Sequence, residues 1–338
     1  MKNKLIALLA FFLMTGQIAQ AQQDTSDTNS NDSPQTESHN SSMGILNQMT
    51  GELLYGYMNF NFNSNSGNNF SNYEGHSNLY SVGADQLKLW PTYTGGIYYF
   101  KVNTNLNSQI ILEPSPLSTA SQTINNNTIF AHIMKNINSQ FYVDLAGGYG
   151  FNSISLQSIV FADTKNQGAG FANYDNNNWF TSLNGLYSKT FNSWLVRAGI
   201  GGLYSQIDTG SYTFNLQSSF PDQTTQPFSD QTVNPLTTKT TFLFETVELG
   251  YSINTGIMPF INGALIQVVQ FSNSRPLVFA QINGTLPQLN INQNGFRVGA
   301  GVAFTYKQFK LRIEDKYYNA GDVFTSNQGL VGLEYQFS

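Results

Sequence analysis

The chain has 338 residues without a single cysteine, and its 15 Lys plus Arg stand against 20 Asp plus Glu. Only 10% of residues are charged, where a soluble domain carries roughly 25%, which speaks against a fully hydrated globular surface. The net charge of −5 without any basic block speaks against nucleic acid, because phosphate binding needs clustered Lys and Arg. Aromatics reach 14%, too many for a chain disordered throughout; together with abundant Asn, Gln, Ser, Thr and Gly they favour strands and turns over helices.

Lys2 and Lys4, an apolar stretch over residues 5–14 too short to span a bilayer, and Ala19-Gln20-Ala21 make the pattern of a secretory signal peptide over residues 1–21, cleaved before Gln22. No cysteine follows it, which argues against a lipoprotein anchor, and the exported chain does not rely on disulfides. Residues 22–49 hold Asp24, Asp27, Asp32 and Glu37 among Ser, Thr and Asn, with no Lys or Arg, and read as a disordered polar spacer. Within residues 43–54, Ile45, Leu46, Met49 and Leu53 fall at helix-like intervals, predicting a short helix that leads into the first strand.

From Glu52 onward no segment is long and apolar enough for a transmembrane helix. The other way to satisfy every backbone N–H and C=O in hydrocarbon is a closed barrel. Alternation supports it over residues 50–338. Phe141, Val143, Leu145, Gly147, Tyr149 and Phe151 share one face, with Asp144, Ala146, Gly148, Gly150 and Asn152 on the other. The same split separates Trp194, Val196, Ala198, Ile200 and Tyr204 from Arg197, Gly199, Gly201 and Ser205. It recurs in Phe296, Val298, Ala300, Val302, Phe304 and Tyr306 against Arg297, Gly299, Gly301, Thr305 and Lys307. In a soluble sandwich the apolar face turns inward; here charged and tiny residues alternate with apolar ones as in a sheet turned inside out.

Twelve strands are predicted, over residues 53–64, 78–90, 93–105, 125–136, 140–153, 177–190, 193–208, 239–253, 257–271, 295–306, 309–320 and 325–337. The connections alternate between short turns (91–92, 137–139, 191–192, 254–256, 307–308) and long stretches (65–77, 106–124, 154–176, 209–238, 272–294), as expected of periplasmic turns and external loops. The last hairpin, through Gly321-Asp322, has a short external turn instead. In residues 239–253 the apolar face changes phase between Phe244 and Val247, which predicts a bulge or an inward Phe pair near the outer rim. Asp315 and Lys135 fall on the lipid-facing side, so those positions lie near an interface or the register slips there.

At the C-terminus Val331, Leu333, Tyr335 and Phe337 alternate with Gly332, Glu334 and Gln336. This resembles the terminal strand by which outer-membrane barrels are recognised for assembly, with Gly332, Tyr335 and Phe337 as the expected signal; Ser338 follows where the pattern ordinarily ends in the aromatic residue. Residues 329–337 and the segment 79–85 (Leu-Tyr-Ser-Val-Gly-Ala-Asp) also resemble the translocator barrels of autotransporters. The resemblance covers residues 43–338 and implies an all-β, antiparallel up-and-down transmembrane barrel of about twelve strands, with an N-terminal helix through the pore. Such proteins normally carry a large passenger, and the stretch between Ala21 and Glu52 has no room for one.

Catalysis finds little support. His76 and Ser77 superficially resemble a His-x-Ser motif of lipid hydrolases, but adjacent residues on a strand point to opposite faces. His132 lies on the polar face of its strand beside Phe130 and Met134, His39 lies in the spacer, and three scattered His without Cys give neither a zinc site nor a thiol nucleophile. No glycine-rich phosphate loop precedes a helix. Asp163, Asp175, Asp208, Asp222 and Asp230 lack the tight spacing of a calcium loop. The sequons Asn40-Ser41-Ser42, Asn126-Asn127-Thr128 and Asn283-Gly284-Thr285 match by composition alone. No cofactor is expected, and the chain reads as a non-enzyme.

The expected lumen-lining set is Asp85, Lys101, Asp144, Arg197, Arg297, Lys310, Arg312, Glu314, Lys316 and Glu334. Two readings of it stay open: charges that pair across a filled interior, or charges that line a narrow selective pore. Gly83, Gly95, Gly148, Gly150, Gly199, Gly201, Gly299 and Gly301 are expected inward, making room for the helix-like stretch at 43–54 or permitting curvature of the wall. The chain is therefore expected in the outer membrane of a Gram-negative bacterium, as a cell-surface anchor or interaction module of autotransporter type. A porin-like channel for small hydrophilic solutes is the alternative, and a lipid-modifying enzyme a distant third. The expected partners are outer-membrane lipid, the barrel-assembly machinery, and small solutes or surface ligands.

Overall fold

The computed structural model describes residues 49–337 apart from 67–68, 113–114, 163, 165–166, 219–229, 255 and 274–293. The expected signal peptide, the spacer up to residue 48 and the first half of the expected helix lie outside the described residues.

Among the described residues fourteen strands follow one another: β1 (Thr50–Ser66), β2 (Asn69–Trp90), β3 (Tyr93–Leu112), β4 (Ser115–Asn136), β5 (Phe141–Val160), β6 (Gly168–Phe191), β7 (Trp194–Thr209), β8 (Tyr212–Ser218), β9 (Gln231–Val233), β10 (Leu236–Tyr251), β11 (Ile257–Asn273), β12 (Gly295–Tyr306), β13 (Phe309–Ala320) and β14 (Phe324–Gln336). Twelve of them form a closed antiparallel ring in which sequence neighbours pair, β7 adjoins β10, and β1 meets β14. The seam between β1 and β14 is unbroken from Thr50 opposite Gln336 to Phe62 opposite Phe324. The remaining two, β8 and β9, leave the ring as a hairpin, β8 pairing with the far end of β6 from Gly168 opposite Ser218 to Phe171 opposite Asn215.

Residues 50–52, expected within the helix-like stretch, are strand and run into the strand expected from residue 53. Between β14 and β2 they pair on both sides, whereas a helix this short gains little from a few apolar residues at the right spacing.

The stretches 65–77, 106–124 and 154–176, expected as loops, are largely strand as well. The reason is a change of solvent along the strand. On β5 the outward face runs Val143, Leu145, Tyr149, Phe151 and then Ser153, Ser155, Gln157; the buried face runs Asp144, Ala146, Gly150, Asn152 and then Ile154, Leu156. The pleat never slips, yet the apolar side swaps from outside to inside. Where lipid surrounds the wall, apolar residues face out; where water surrounds it, they face in. Met58, Phe60, Phe62, Tyr73, Leu106, Ile124, Ile154, Leu156, Phe214, Phe242 and Phe324 accordingly join one buried apolar cluster inside the upper barrel, each such side chain stabilising by about 1.5–3 kcal/mol.

Aromatic girdles bound the lipid-facing band. Tyr99, Ile129, Tyr149 and Trp179 stand side by side across β3–β6 at its upper edge. Ring pairs Trp90–Tyr93, Phe141–Tyr187, Trp194–Tyr251 and Phe309–Tyr335, with centroids 4.8–5.7 Å apart, line the lower edge. That lower rim carries the short turns, and two of them place Asn192 and Lys307 at φ values of 55° and 54°, the left-handed conformation that tight hairpins demand. Lys135, facing outward, lies 5.6 Å above the Tyr93 ring at this rim, and outward-facing Asp315 stands one outward position below Tyr317 on β13. Their registers are intact. In β10 the faces also keep their order: the pairing with β11 shifts between Thr241 and Phe242, while Phe242 is buried and Phe244 packs partly buried against the apolar cluster.

The inward glycines are filled from their neighbours. A Cβ on Gly148 would collide with the Phe180 ring, one on Gly83 with Tyr98, and one on Gly301 with Phe260. Gly95 does not belong with them; Gly96 faces inward, against the His132 ring and Asp85. The space expected for a plug at these positions is thus taken by rings of adjacent strands. Gly148→Val should destabilise the barrel by about 1–3 kcal/mol through overpacking, read as a lower urea midpoint of the heat-modifiable form, and Phe180→Leu in the same chain should restore part of the loss.

Candidate functional site

Inside the lipid-facing band the interior is charged, and the charges form two networks. On one wall the β2–β3 pairing shifts between Ala84 and Leu87, and Gln86 adopts a φ of 58°. This bulge lets the Gln86 backbone N–H donate to Asp85 Oδ1 at 2.6 Å, a common use of a bulge to re-aim a side chain. Tyr98 Oη donates to Asp85 Oδ2 at 2.7 Å. His132 then bridges two carboxylates, with Nε2 3.2 Å from Asp85 and Nδ1 2.7 Å from Asp144. Asn184 Nδ2 donates to the second oxygen of Asp144 at 3.3 Å. With both ring nitrogens held by carboxylates, His132 has no nitrogen left to take a substrate proton.

The other wall centres on Glu248. Arg197 on β7 meets one of its oxygens at 3.0 Å, and Arg312 on β13 meets the other at 2.6 Å. Because β13 lies three strands from β10, this second bond spans the interior, and on the way the Arg312 guanidinium passes 3.7 Å over the Phe260 ring. Arg312 continues to Glu314 at 3.5 Å, Lys316 joins Glu314 at 2.9 Å, and Asn262 donates to the same carboxylate. Glu248, Arg312, Glu314, Lys316, Arg197 and Arg297 are all between 1% and 6% exposed, and each of the two carboxylates is shared by two cations. Arg297 Nε and Nη1 have no hydrogen-bond partner among the described residues. At the lower rim Lys310 lies 3.7 Å from Glu334.

The expected lumen residues therefore face inward with one exception. Lys101 points outward, beside Tyr80 on β2, while Tyr98, Phe100 and Val102 turn in. Both faces of that segment are apolar, so alternation alone does not orient it; the interior rings win because Gly83 and Gly148 leave space there. Glu248, Tyr98, Asn184 and Asn262 were not singled out in the sequence. Parity along β10 places Glu248 inward, but nothing in a linear pattern reveals that two arginines converge on it. His76 and Ser77 do diverge: Ser77 is buried against Thr104 at 2.7 Å, while the His76 ring stacks on Tyr57 at 6.0 Å. Among the described residues no group of His, Asp or Glu is arranged to hold a metal ion.

The terminal residues sit at the lower seam. Tyr335 packs on Phe309 and, edge-on at 5.0 Å, on Phe337; the Phe337 N–H donates to Met49 O at 2.9 Å; Gly332 faces in, opposite Arg312 and Leu54.

A twelve-stranded antiparallel ring with an apolar belt, two aromatic girdles and an internally paired core of charge is an outer-membrane β-barrel. Residues 53–314 match the autotransporter beta-domain family, and the chain belongs to that family. The fold is similar to the translocator domain of the autotransporter NalP from Neisseria meningitidis, at 12% identity with 98% of each chain covered and a TM-score of 0.62. It is similar also to the transport unit of AIDA-I from Escherichia coli, at 12% identity, 95% and 98% coverage and a TM-score of 0.56. The beta domain of the Bordetella autotransporter BrkA gives 12% identity, 85% and 98% coverage and a TM-score of 0.55. Among curated proteins no sequence relative matches the chain.

Glu248→Ala removes the carboxylate shared by Arg197 and Arg312 and should destabilise the barrel by about 3–5 kcal/mol, measured as a shift of the urea midpoint in detergent micelles. An unchanged midpoint would mean that water already solvates these guanidiniums.

Proposed function

We propose that this chain is a membrane anchor of the outer membrane, with a closed interior and an outer rim that serves surface interactions, and that it performs no catalysis. The observation that carries the reading is the chord of charge from Arg197 through Glu248 to Arg312, buried and crossing the interior; a diffusion pore would keep such groups hydrated at its walls. β1 begins at the lower rim, where Met49 accepts from Phe337. Any part of the preceding segment that reaches the cell surface has to run through the barrel. Signal-peptide cleavage before Gln22, recognition of Tyr335 and Phe337 by the assembly machinery, and contact of the apolar belt with lipid complete the reading.

Protease added to intact cells should cut within residues 209–238, while the turn at 192–193 stays protected; the reverse pattern would invert the topology. Purified protein in planar bilayers should show no steady open conductance. A wild-type barrel that is already open would favour the porin-like alternative.

A further inference from the structure

The outward wall above the upper girdle holds a groove that the anchor function does not use. Two rows cross β3–β6 there in register, Asn107 with Ser121, Gln157 and Phe171, and above it Gln109 with Thr119, Ile159 and Ala169. Between them the intervening residues turn their side chains inward, so the floor is backbone, including that of Gly170 with the Phe214 ring behind it. The resulting cavity measures about 560 Å³. A second one of about 470 Å³ continues the band toward β1 and β14 and shares Asn107.

The lining of the first cavity is specific in its chemistry. It mixes amides and hydroxyls with the exposed apolar side chains of Phe171, at 43% exposure, Ile159, at 46%, and Ala169, with no Lys, Arg, Asp or Glu. Among the described residues no side-chain hydrogen bond engages Asn107, Gln109, Ser121 or Gln157, in contrast to the row beneath, where Thr123 donates to Asn105 at 3.0 Å. Without cations the groove does not suit phosphate or carboxylate, and without carboxylates it does not suit a cation. A purely apolar ligand would strip water from four amide or hydroxyl groups and return nothing. The ligand class that satisfies all of these groups is a neutral sugar. Vicinal hydroxyls each donate and accept, as side-chain amides do, and the slightly positive C–H face of a pyranose suits the negative face of an aromatic ring.

Placement selects the source. The groove opens sideways, into the plane of the surrounding lipid, and Asn107 lies eight residues above Tyr99 on the same strand, which for a tilted strand is about 20 Å above the hydrocarbon edge. Charged lipid head groups lie lower, near the girdle, where the only outward Lys of β3, Lys101, is found.

We propose that this groove binds neutral sugar residues of glycolipids in the surrounding outer leaflet, with Phe171 as stacking platform and Asn107, Gln109 and Gln157 as hydroxyl partners. The proposal rests on the outer-membrane placement only for the source of the sugar; binding itself is tested on purified protein, so its failure is separable from failure of the anchor reading.

The test is saturation-transfer NMR on the full mature chain in detergent micelles. The probes are delipidated lipopolysaccharide core oligosaccharide, the same oligosaccharide truncated to its inner phosphorylated sugars, and a neutral dextran fragment. Transfer to the full core but not to the truncated one is expected. Phe171→Ala or Gln157→Ala should weaken it roughly tenfold, about the loss of one well-made contact, while Phe171→Trp keeps it. Gln109→Ala serves as a second variant if Phe171→Ala does not give the heat-modifiable form. Equal transfer to dextran would overturn the lipid source, transfer to the truncated core would overturn the neutral-sugar assignment, and no transfer to any sugar would overturn the proposal.

Discussion

In hydrocarbon a backbone N–H or C=O has no water to fall back on, and each one left unpaired costs several kcal/mol. That single constraint forces the sheet to close, and here closure depends on the two ends of the described chain finding each other, β1 against β14, with Thr50 opposite Gln336. The rest of the architecture follows from this seam. A ring of twelve strands encloses a modest interior, so every side chain is assigned by parity either to the surroundings or to that shared interior.

The same parity serves two different solvents along one strand. In the lower part lipid lies outside, and the polar, glycine-bearing face is inward. In the upper part water lies outside, and Ile154, Leu156 and Phe214 take over the interior while Ser and Gln face out. No bulge is needed for this exchange on β5, because the pleat continues and only the residue types change. The upper barrel is thus held by an ordinary apolar core, and the lower barrel by lipid contact outside and polar contact inside. The outer wall of the upper part is released from both tasks, which is why it can carry a row of amides and hydroxyls with no structural partners.

Burying so many charges within the lower barrel is costly unless each is matched. The matches reach across the sheet: Arg312 meets Glu248 three strands away, and His132 on β4 joins Asp85 on β2 to Asp144 on β5. Such chords fix the cross-section of the ring as well as its charge balance. Space for them is created by glycines whose missing side chains are replaced by a neighbour's ring, as at Gly148 beneath Phe180 and Gly96 beneath His132. The interior is consequently a set of interlocking side chains, suited to an anchor and poorly suited to free diffusion.

Alternation at period two was sufficient to show the barrel, its strand number, the short turns and the inward direction of Asp144, Arg197, Arg297 and Arg312, because parity is a local property fixed by the backbone. The same local signal failed where it was degenerate or where its meaning changed. On β3 both faces are apolar, so alternation points Lys101 and Gly95 inward although both turn outward; above the girdle the apolar face inverts, so the outer halves of β2 to β6 read as loops. Residues 50–52 read as helix-like because pairing with β2 and β14 is invisible to a linear pattern. Which charges meet, which ring fills which glycine, and which amides are left facing outward without partners were decided only when the ring closed, since each depends on strands brought together from distant parts of the chain, and distance across a barrel is not written in sequence separation.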